Sequence, residues 1–202
     1  LCADENGRIT ELDRSPSAAF DLNVNLWVVN RDYLVGMVKN AAARGYSDMT
    51  CDVMGRNLMK DRFFEYVYRG DILRIKSLSD YYRTNMRLLA DTPLRENMLD
   101  GINSRRTPYS LTGIGSEAQI TASVISEGCH IDGRLENCIV FRGVRVEKGA
   151  VVKNSILFPS VTVSEGAKLD FVIADKNTNV REGNILAGCR MLPYFFGGKK
   201  II

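Results

Sequence analysis

The chain lacks any pattern that would place it in a membrane or on nucleic acid. Its longest apolar runs are only a few residues, far short of a bilayer span. The 27 Lys and Arg residues stand against 24 Asp and Glu, and these charges are scattered rather than clustered. We therefore expect neither a membrane nor a nucleic-acid partner.

Cysteine and histidine are also scarce. The five cysteines form neither a Cys-x-x-Cys pair nor a dense, even framework. This excludes a zinc knuckle or a disulfide scaffold and is typical of a protein from a reducing cytoplasm. The first residues contain neither an initiator Met nor a secretory signal, so we expect a fragment of a longer cytoplasmic protein without a metal site of its own.

The first half of the chain has a mixed helix and strand pattern. Residues 24–29 and 63–68 are short apolar or alternating runs that predict strands. Residues 31–44 carry apolar side chains at helical spacing and are closed by Gly45, which predicts a helix. A second helix is predicted from the cap residue Ser77 to Leu89, with Pro93 beyond it. Residues 91–113 show no sustained period and are interpreted as a connecting loop.

The second half is a repeat with a period of 17 residues. Residues 146–152 align with residues 163–169 and again with residues 180–186. The period generates two aliphatic columns, Leu135/Val152/Leu169/Leu186 and Ile139/Ile156/Ile173. A shorter six-residue beat lies inside each copy, which is the signature of a hexapeptide-repeat parallel β-helix. We predict this fold for residues 114–188, with positive φ at the turn glycines Gly149, Gly166 and Gly183.

The stretch that follows, residues 189–202, contains an apolar segment at 191–196. A repeat fold needs its last coil covered, because every coil buries its apolar column only against its neighbours. The segment is therefore either a cap on the β-helix or a contact for a partner, and the sequence does not decide between these two.

Several motifs together resemble the bacterial glucose-1-phosphate adenylyltransferase family. They are Tyr-Tyr-x-x-Asn-Met-x-Leu-Leu at 81–89, Thr-Pro-Tyr at 107–109, Gly-Cys-His-Ile-Asp-Gly at 128–133 and Glu-Asn-Cys-Ile-Val-Phe-Arg-Gly-Val at 136–144. Within the family, the chain most resembles the non-catalytic companion subunit of glycogen biosynthesis. The resemblance covers nearly the whole chain and is densest from Tyr81 to Gly188.

This resemblance implies a domain order and a reaction. Residues 1–90 would be the C-terminal part of a Rossmann-like nucleotidyltransferase domain, residues 91–113 a linker and residues 114–188 a left-handed β-helix. Family enzymes join glucose 1-phosphate to ATP and release pyrophosphate. The Gly-rich nucleotide loop and the first metal-binding Asp would lie in sequence that this chain does not contain. We therefore expect no catalytic residue here, and Mg²⁺ and ATP would belong to a catalytic partner.

Three departures from the family pattern favour a companion subunit. Catalytic members carry a metal-binding Asp before the Tyr-Tyr helix, where this chain has Arg74, and a guanidinium cannot ligate Mg²⁺. Ser15 stands where the resemblance places a sugar-phosphate-binding lysine. Asp21 begins the segment that matches a substrate-binding strand, and an acid there would repel a phosphate. The expected partner is a catalytic paralogue, with self-association as an addition or an alternative.

Two basic residues are candidates for an effector site. Lys176 aligns with a lysine that contacts anionic activators in some members of the family. Arg142 lies on the same 17-residue column and is a candidate helper. The simpler interpretation of both residues is an exposed charge in a turn.

Two other functions remain open from the sequence. Acyltransferases built from the same hexapeptides use a histidine base, and His130 is the only histidine in the chain. Counting by 17 places His130 in register with Glu147 and therefore on the outside, and places Cys129 in the buried column of Val146. The other alternative is a purely structural oligomerisation module.

Overall fold

The computed structural model describes residues 1–12, 23–102 and 111–197. The chain divides into two compact units, Leu1–Gly70 and Asp71–Ile202.

The first unit is organised around one amphipathic helix, α1 (Arg31–Ala43). Asn30 caps it, because its side-chain oxygen accepts the backbone N–H groups of Asp32 and Tyr33 at 3.0 and 3.2 Å. The buried side chains of this helix pack with a π-helical segment, Met49–Met54, which continues into the short helix α2 (Gly55–Asn57). The helix predicted over residues 31–44 is confirmed, and the helical part of the unit fits a fragment of a Rossmann-like domain.

The two predicted strands of the first unit are not formed. A small antiparallel pair, β1 (Cys2–Ala3) and β2 (Ile9–Glu11), lies elsewhere, and only Phe64 makes a bridge, to Arg8. Residues 24–29 contain no strand, and the apolar side chains of Leu26 and Tyr66 are 82% and 88% exposed. A strand needs a neighbouring strand for its backbone hydrogen bonds, and the described residues provide none for these segments.

The second unit begins with two helices in series, α3 (Leu78–Ala90) and α4 (Thr92–Leu99). The predicted cap of α3 is confirmed, since Ser77 Oγ accepts the N–H of Asp80 at 3.0 Å. The prediction of a loop over residues 91–113 is wrong for α4. Pro93 occupies the first turn of this helix, where its missing N–H costs nothing, and Asp91 caps it through the N–H of Leu94.

The rest of the second unit is a parallel β-helix of three sheets, each with five strands. Every coil contributes one strand to each sheet, so that coil 1 holds β3–β5 and coil 5 holds β15–β17. The bounds are β3 Gly113–Ile114, β4 Gln119–Thr121, β5 Val124–Ile125, β6 His130–Ile131, β7 Arg134–Glu136, β8 Ile139–Val140, β9 Arg145–Val146, β10 Val151–Lys153, β11 Ile156–Leu157, β12 Thr162–Val163, β13 Lys168–Asp170, β14 Val172–Ala174, β15 Asn179–Val180, β16 Ile185–Ala187 and β17 Tyr194–Phe196. This is the predicted fold, a β-helix of the left-handed hexapeptide type.

The interior consists of the aliphatic columns that the repeat predicts. Leu135, Val152 and Leu169 pair in register and are at most 1% exposed. The turn glycines Gly149 and Gly166 have φ of +73° and +66°, as predicted, a conformation that side-chain-bearing residues adopt with strain. Stacking of the coils therefore buries one continuous hydrophobic core.

The register is not uniform along the β-helix. From coil 3 onward the paired residues are 17 apart, as in Arg145 and Thr162, but His130 of coil 2 pairs with Arg145, 15 residues on. The predicted columns of His130 and Cys129 are therefore wrong. Ile131, not Cys129, pairs with Val146. A fixed period could not register two residues missing from one turn.

The apolar segment at 191–196 supplies the last strand. Strand β17 (Tyr194–Phe196) pairs in parallel with β14 (Val172–Ala174) and completes coil 5 of the third sheet. Phe196 packs against the main core. The segment thus covers part of the preceding coil, which is the first of the two roles that the sequence left open.

Candidate functional site

Helix α3 lies on the outer face of the third sheet, and Tyr82 fixes it there. Tyr82 is 2% exposed and packs on Ile156 and Ile173, whose side chains are fully buried although they lie outside the main core. Its hydroxyl donates to the backbone C=O of Asn154 at 2.6 Å. Burial raises the pKa of Tyr82 to about 12, so that this donor keeps its proton at neutral pH.

The turn that receives Tyr82 is held by a ladder of side-chain amides. Asn137 Nδ2 donates to Asn154 Oδ1, and Asn154 Nδ2 donates to Asp170 Oδ1, both at 2.8 Å. Asn137 and Asn154 have φ of +54° and +44°, a left-handed conformation that asparagine tolerates better than most residues. The acceptor of the Tyr82 hydroxyl is therefore rigidly placed.

An aromatic stack continues the contact of α3 toward the candidate effector turn. The rings of Phe141 and Phe158 lie parallel with their centroids 5.2 Å apart, and Tyr81 stacks on Phe158 at 6.0 Å. Phe141 and Phe158 directly precede Arg142 and Pro159 in the sequence. The helix and the turn column are thus joined by one aromatic cluster.

The candidate effector residues Arg142 and Lys176 occupy one turn column. Ser160 N–H donates to the C=O of Arg142 at 3.1 Å, and Asn177 N–H donates to the C=O of Pro159 at 3.0 Å, so the turns of coils 2, 3 and 4 stack directly. Two coils separate the backbones of Arg142 and Lys176, about 9–10 Å at the usual strand spacing. Lys176 is exposed and has no ion pair within the described residues, while Arg142 is half-buried. An anion at this turn would meet at least one solvent-facing ammonium group.

The residues of the predicted degenerate substrate site are only partly described. Ser15 and Asp21 lie outside the described residues. Arg74 lies in an irregular, exposed segment before α3. Within the described ranges, no group of three or more His, Cys, Asp or Glu side chains is arranged to hold a metal ion. Arg74 therefore presents a solvated cation ahead of the Tyr-Tyr helix.

His130 lies outside the β-helix, as predicted, but on a different column. Its Nε2 lies 2.9 Å from Oδ2 of Asp132, and its Nδ1 packs so closely on Gly113 that a Cβ there would lie 2.9 Å away. Both ring nitrogens are thus engaged within one wall of the β-helix. This arrangement does not favour His130 as an acyl-transfer base.

The two cysteines of the β-helix are buried, as expected for small hydrophobic residues. Cys138 is fully buried, with Sγ 3.2 Å from the C=O of Glu136, and burial raises the pKa of its thiol to about 11. Burial likewise raises the pKa of Cys129. Neither thiol is a nucleophile at neutral pH.

The sequence analysis missed the docking of α3 on the β-helix. A signal was present, because Ile139 and Val140 are consecutive and both belong to aliphatic columns. Consecutive strand residues point to opposite faces, so one of the two columns had to lie outside and needed a cover. The Tyr-Tyr motif of α3 provides that cover.

Fold and side chains together define a hexapeptide-repeat β-helix protein that carries an α/β fragment at its N-terminal side. Residues 111–188 match the family model described as the GlmU-like C-terminal hexapeptide. Among the described residues, no helix is both long and apolar enough to cross a membrane.

The chain is similar over most of its length to enzymes named glucose-1-phosphate adenylyltransferase. The proteins of Bacillus thuringiensis (strain Al Hakam), Bacillus anthracis and Bacillus mycoides (strain KBAB4) are each 27% identical to it over 187 residues. The similarity covers 87% of this chain and 47% of each relative. The chain thus spans about half the length of the relatives that it matches.

Proposed function

We propose that this chain is part of a non-catalytic, regulatory subunit of a cytoplasmic glucose-1-phosphate adenylyltransferase involved in ADP-glucose and glycogen synthesis. The similarity to enzymes of that name over 87% of the chain supports the reaction context. The β-helix supplies a rigid surface for assembly with a catalytic paralogue. Mg²⁺ and ATP bind to that paralogue, not to this chain.

Arg74 is the observation that carries the non-catalytic role. Phosphoryl and nucleotidyl transfer require a divalent cation to neutralise the phosphates in the transition state. The resemblance places a carboxylate ligand at this position, and a permanently charged guanidinium has no lone pair to offer the metal. Its charge also repels the cation that the reaction needs.

Control by an anionic metabolite is the second part of the proposal. Lys176 and Arg142 on their shared turn column would bind the anion. The stack of Phe141, Phe158 and Tyr81 connects this column to α3, so an ordered turn would also stiffen the attachment of the helix. The regulatory effect on the catalytic subunit would then pass through the β-helix and α3.

The test is to assay ADP-glucose formation by the full-length protein that contains this chain, alone and mixed with the catalytic adenylyltransferase of the same organism. We expect no activity alone and a changed kcat or KM of the catalytic subunit in the mixture. An Arg74→Asp variant measures whether residue 74 by itself blocks the reaction. Turnover by the isolated protein at the rate of the catalytic subunit would overturn the proposal.

A further inference from the structure

Coil 2 has a notch on one edge of the β-helix. Its first two strands are joined by only Asp132 and Gly133, whereas the corresponding turns of coils 1 and 3 have four residues, 115–118 and 147–150. A cavity of about 390 Å³ lies where the two missing residues would be, between the turns of coils 1 and 3. No side chain on Gly133 can fill it, since a Cβ there would lie 2.5 Å from the C=O of Ala150.

The missing residues leave a donor and an acceptor unpaired. In the later coils the turn glycine donates to the coil before it, Gly166 to the C=O of Lys148 and Gly183 to the C=O of Glu165. Gly149 is the same residue of coil 3, and within the described residues its N–H has no acceptor. Ser116 of coil 1 holds the matching position on the other wall, and its C=O has no donor among the described residues.

The charges around the notch do not favour a simple anion. Asp132, Glu117 and Glu165 outnumber Arg134 and Lys148 in its lining. Glu117 and Lys148 form an ion pair of 3.0 Å that spans from coil 1 to coil 3 beside the gap, and both side chains are 66% exposed. A neutral group that both donates and accepts hydrogen bonds therefore suits the notch better than a phosphate or a carboxylate.

The height of the notch selects the shape of that group. Coils 1 and 3 are two strand spacings apart, about 9.5 Å, which leaves room for one extended chain between them. A peptide group in this gap accepts the N–H of Gly149 with its C=O and donates its own N–H to the C=O of Ser116. The same pairing holds the other coils together along this edge.

We propose that the notch is a docking site for an extended peptide loop of a protein partner, which replaces the missing turn of coil 2. The identity of the partner as the catalytic adenylyltransferase rests on the function proposed above. The exposed pair Glu117 and Lys148 flanks the loop and opens or rearranges as it enters, at little cost for an ion pair in solvent.

The decisive variant fills the notch. Insertion of Lys-Gly between Asp132 and Gly133 restores a four-residue turn, and its new backbone satisfies both Gly149 and Ser116. We expect an unfolding midpoint equal to or above that of the natural protein, and affinity for the catalytic subunit lowered by about tenfold or more, for the loss of two hydrogen bonds. A Gly-Ser insertion between Glu182 and Gly183 in coil 5 is the matched control and leaves the affinity unchanged.

Hydrogen exchange at Gly149 tests the same contact without any variant. Its amide exchanges freely in the isolated protein and becomes protected in the complex with the catalytic subunit. Unchanged affinity of the filled variant, or an amide of Gly149 that stays unprotected in the complex, overturns the docking site while leaving the regulatory function intact. Absence of any complex with the natural protein overturns both proposals.

Discussion

The hydroxyl of Tyr82 on α3 donates to the backbone C=O of Asn154 in the β-helix, 72 residues away, at 2.6 Å. One hydrogen bond of a buried side chain thus joins the helix that precedes the repeat to the repeat itself. The acceptor is held by the amide ladder of Asn137, Asn154 and Asp170. This relation makes α3 a structural part of the β-helix unit.

The first prediction separates the hydrogen bond of Tyr82 from its ring. Tyr82→Phe leaves a buried C=O without its donor and lowers the free energy of unfolding by about 1–2 kcal/mol. Tyr82→Ala also leaves a cavity against Ile156 and Ile173 and costs about 3–5 kcal/mol. Urea denaturation measures both, and Tyr66→Phe, at an 88% exposed position, is the neutral control.

If α3 were attached independently of Tyr82, Tyr82→Ala would leave the exchange of its backbone amides unchanged. We expect the opposite, namely faster exchange confined to α3 in the Ala variant. The exchange of the inner strands should change little, because the main core does not include Tyr82.

The second prediction concerns Ser155, a fully buried polar residue inside the β-helix. Its Oγ donates to the C=O of Lys153 and accepts the N–H of Val172 at 3.0 Å. Ser155→Ala leaves the N–H of Val172 buried without a partner, and we expect a loss of about 1–3 kcal/mol in the free energy of unfolding.

A cysteine should serve at this position. Cys138 occupies it one coil earlier, with its Sγ against the C=O of Glu136. Ser155→Cys is therefore expected to lose less than half of what Ser155→Ala loses, and Ser116→Ala at an exposed turn is the control. Equal stability of Ser155→Ala and the natural protein would show that the N–H of Val172 finds another acceptor.

The local sequence patterns predicted what local interactions determine. The cap of α3 at Ser77, the end of α1 near Gly45 and the column of Leu135, Val152 and Leu169 are all present. In each case the stabilising contact lies within a few residues or one repeat. Such contacts are visible in the sequence without knowledge of the rest of the fold.

The errors have a common physical origin, since they depend on neighbours that no local pattern names. The runs at 24–29 and 63–68 have strand composition but no partner strand among the described residues. The 15-residue step between His130 and Arg145 is a deletion that shifts every column before it. The cover of Ile156 by Tyr82 joins segments more than 70 residues apart.

The third prediction is a pH effect from a buried thiol. Burial raises the pKa of Cys138 from 9.0 to about 11, so the folded state holds the proton that the unfolded state releases. This contribution is fully present below pH 9 and is lost as the pH rises from about 9 to 11, by about 2 kcal/mol in all.

Urea denaturation at pH 8 and at pH 10.5 measures this slope. Cys138→Ser removes the titrating thiol at a position where Ser155 shows that serine fits, so the difference between the two pH values should shrink. Tyr82 adds a smaller loss of the same sign above pH 10, which both proteins share. An unchanged slope in Cys138→Ser would assign the effect to other groups.

The fourth prediction tests the effector turn. Lys176→Ala removes the exposed ammonium group and, if the turn binds an anion, should weaken the binding of inorganic phosphate or pyrophosphate by about tenfold, the value of one charge-assisted hydrogen bond. Lys168→Ala, at an exposed position of β13, changes the net charge equally and is the matched control. Binding is followed by calorimetry at constant ionic strength.

Arg142→Ala and the double variant determine whether the two cations act together. If one anion contacts both, the loss in the double variant differs from the sum of the single losses, because the second cation has less left to bind. Additive losses would indicate two independent charges on the same turn column. Equal affinities of Lys176→Ala and Lys168→Ala would reduce the effect to general screening and would remove Lys176 from the regulatory proposal.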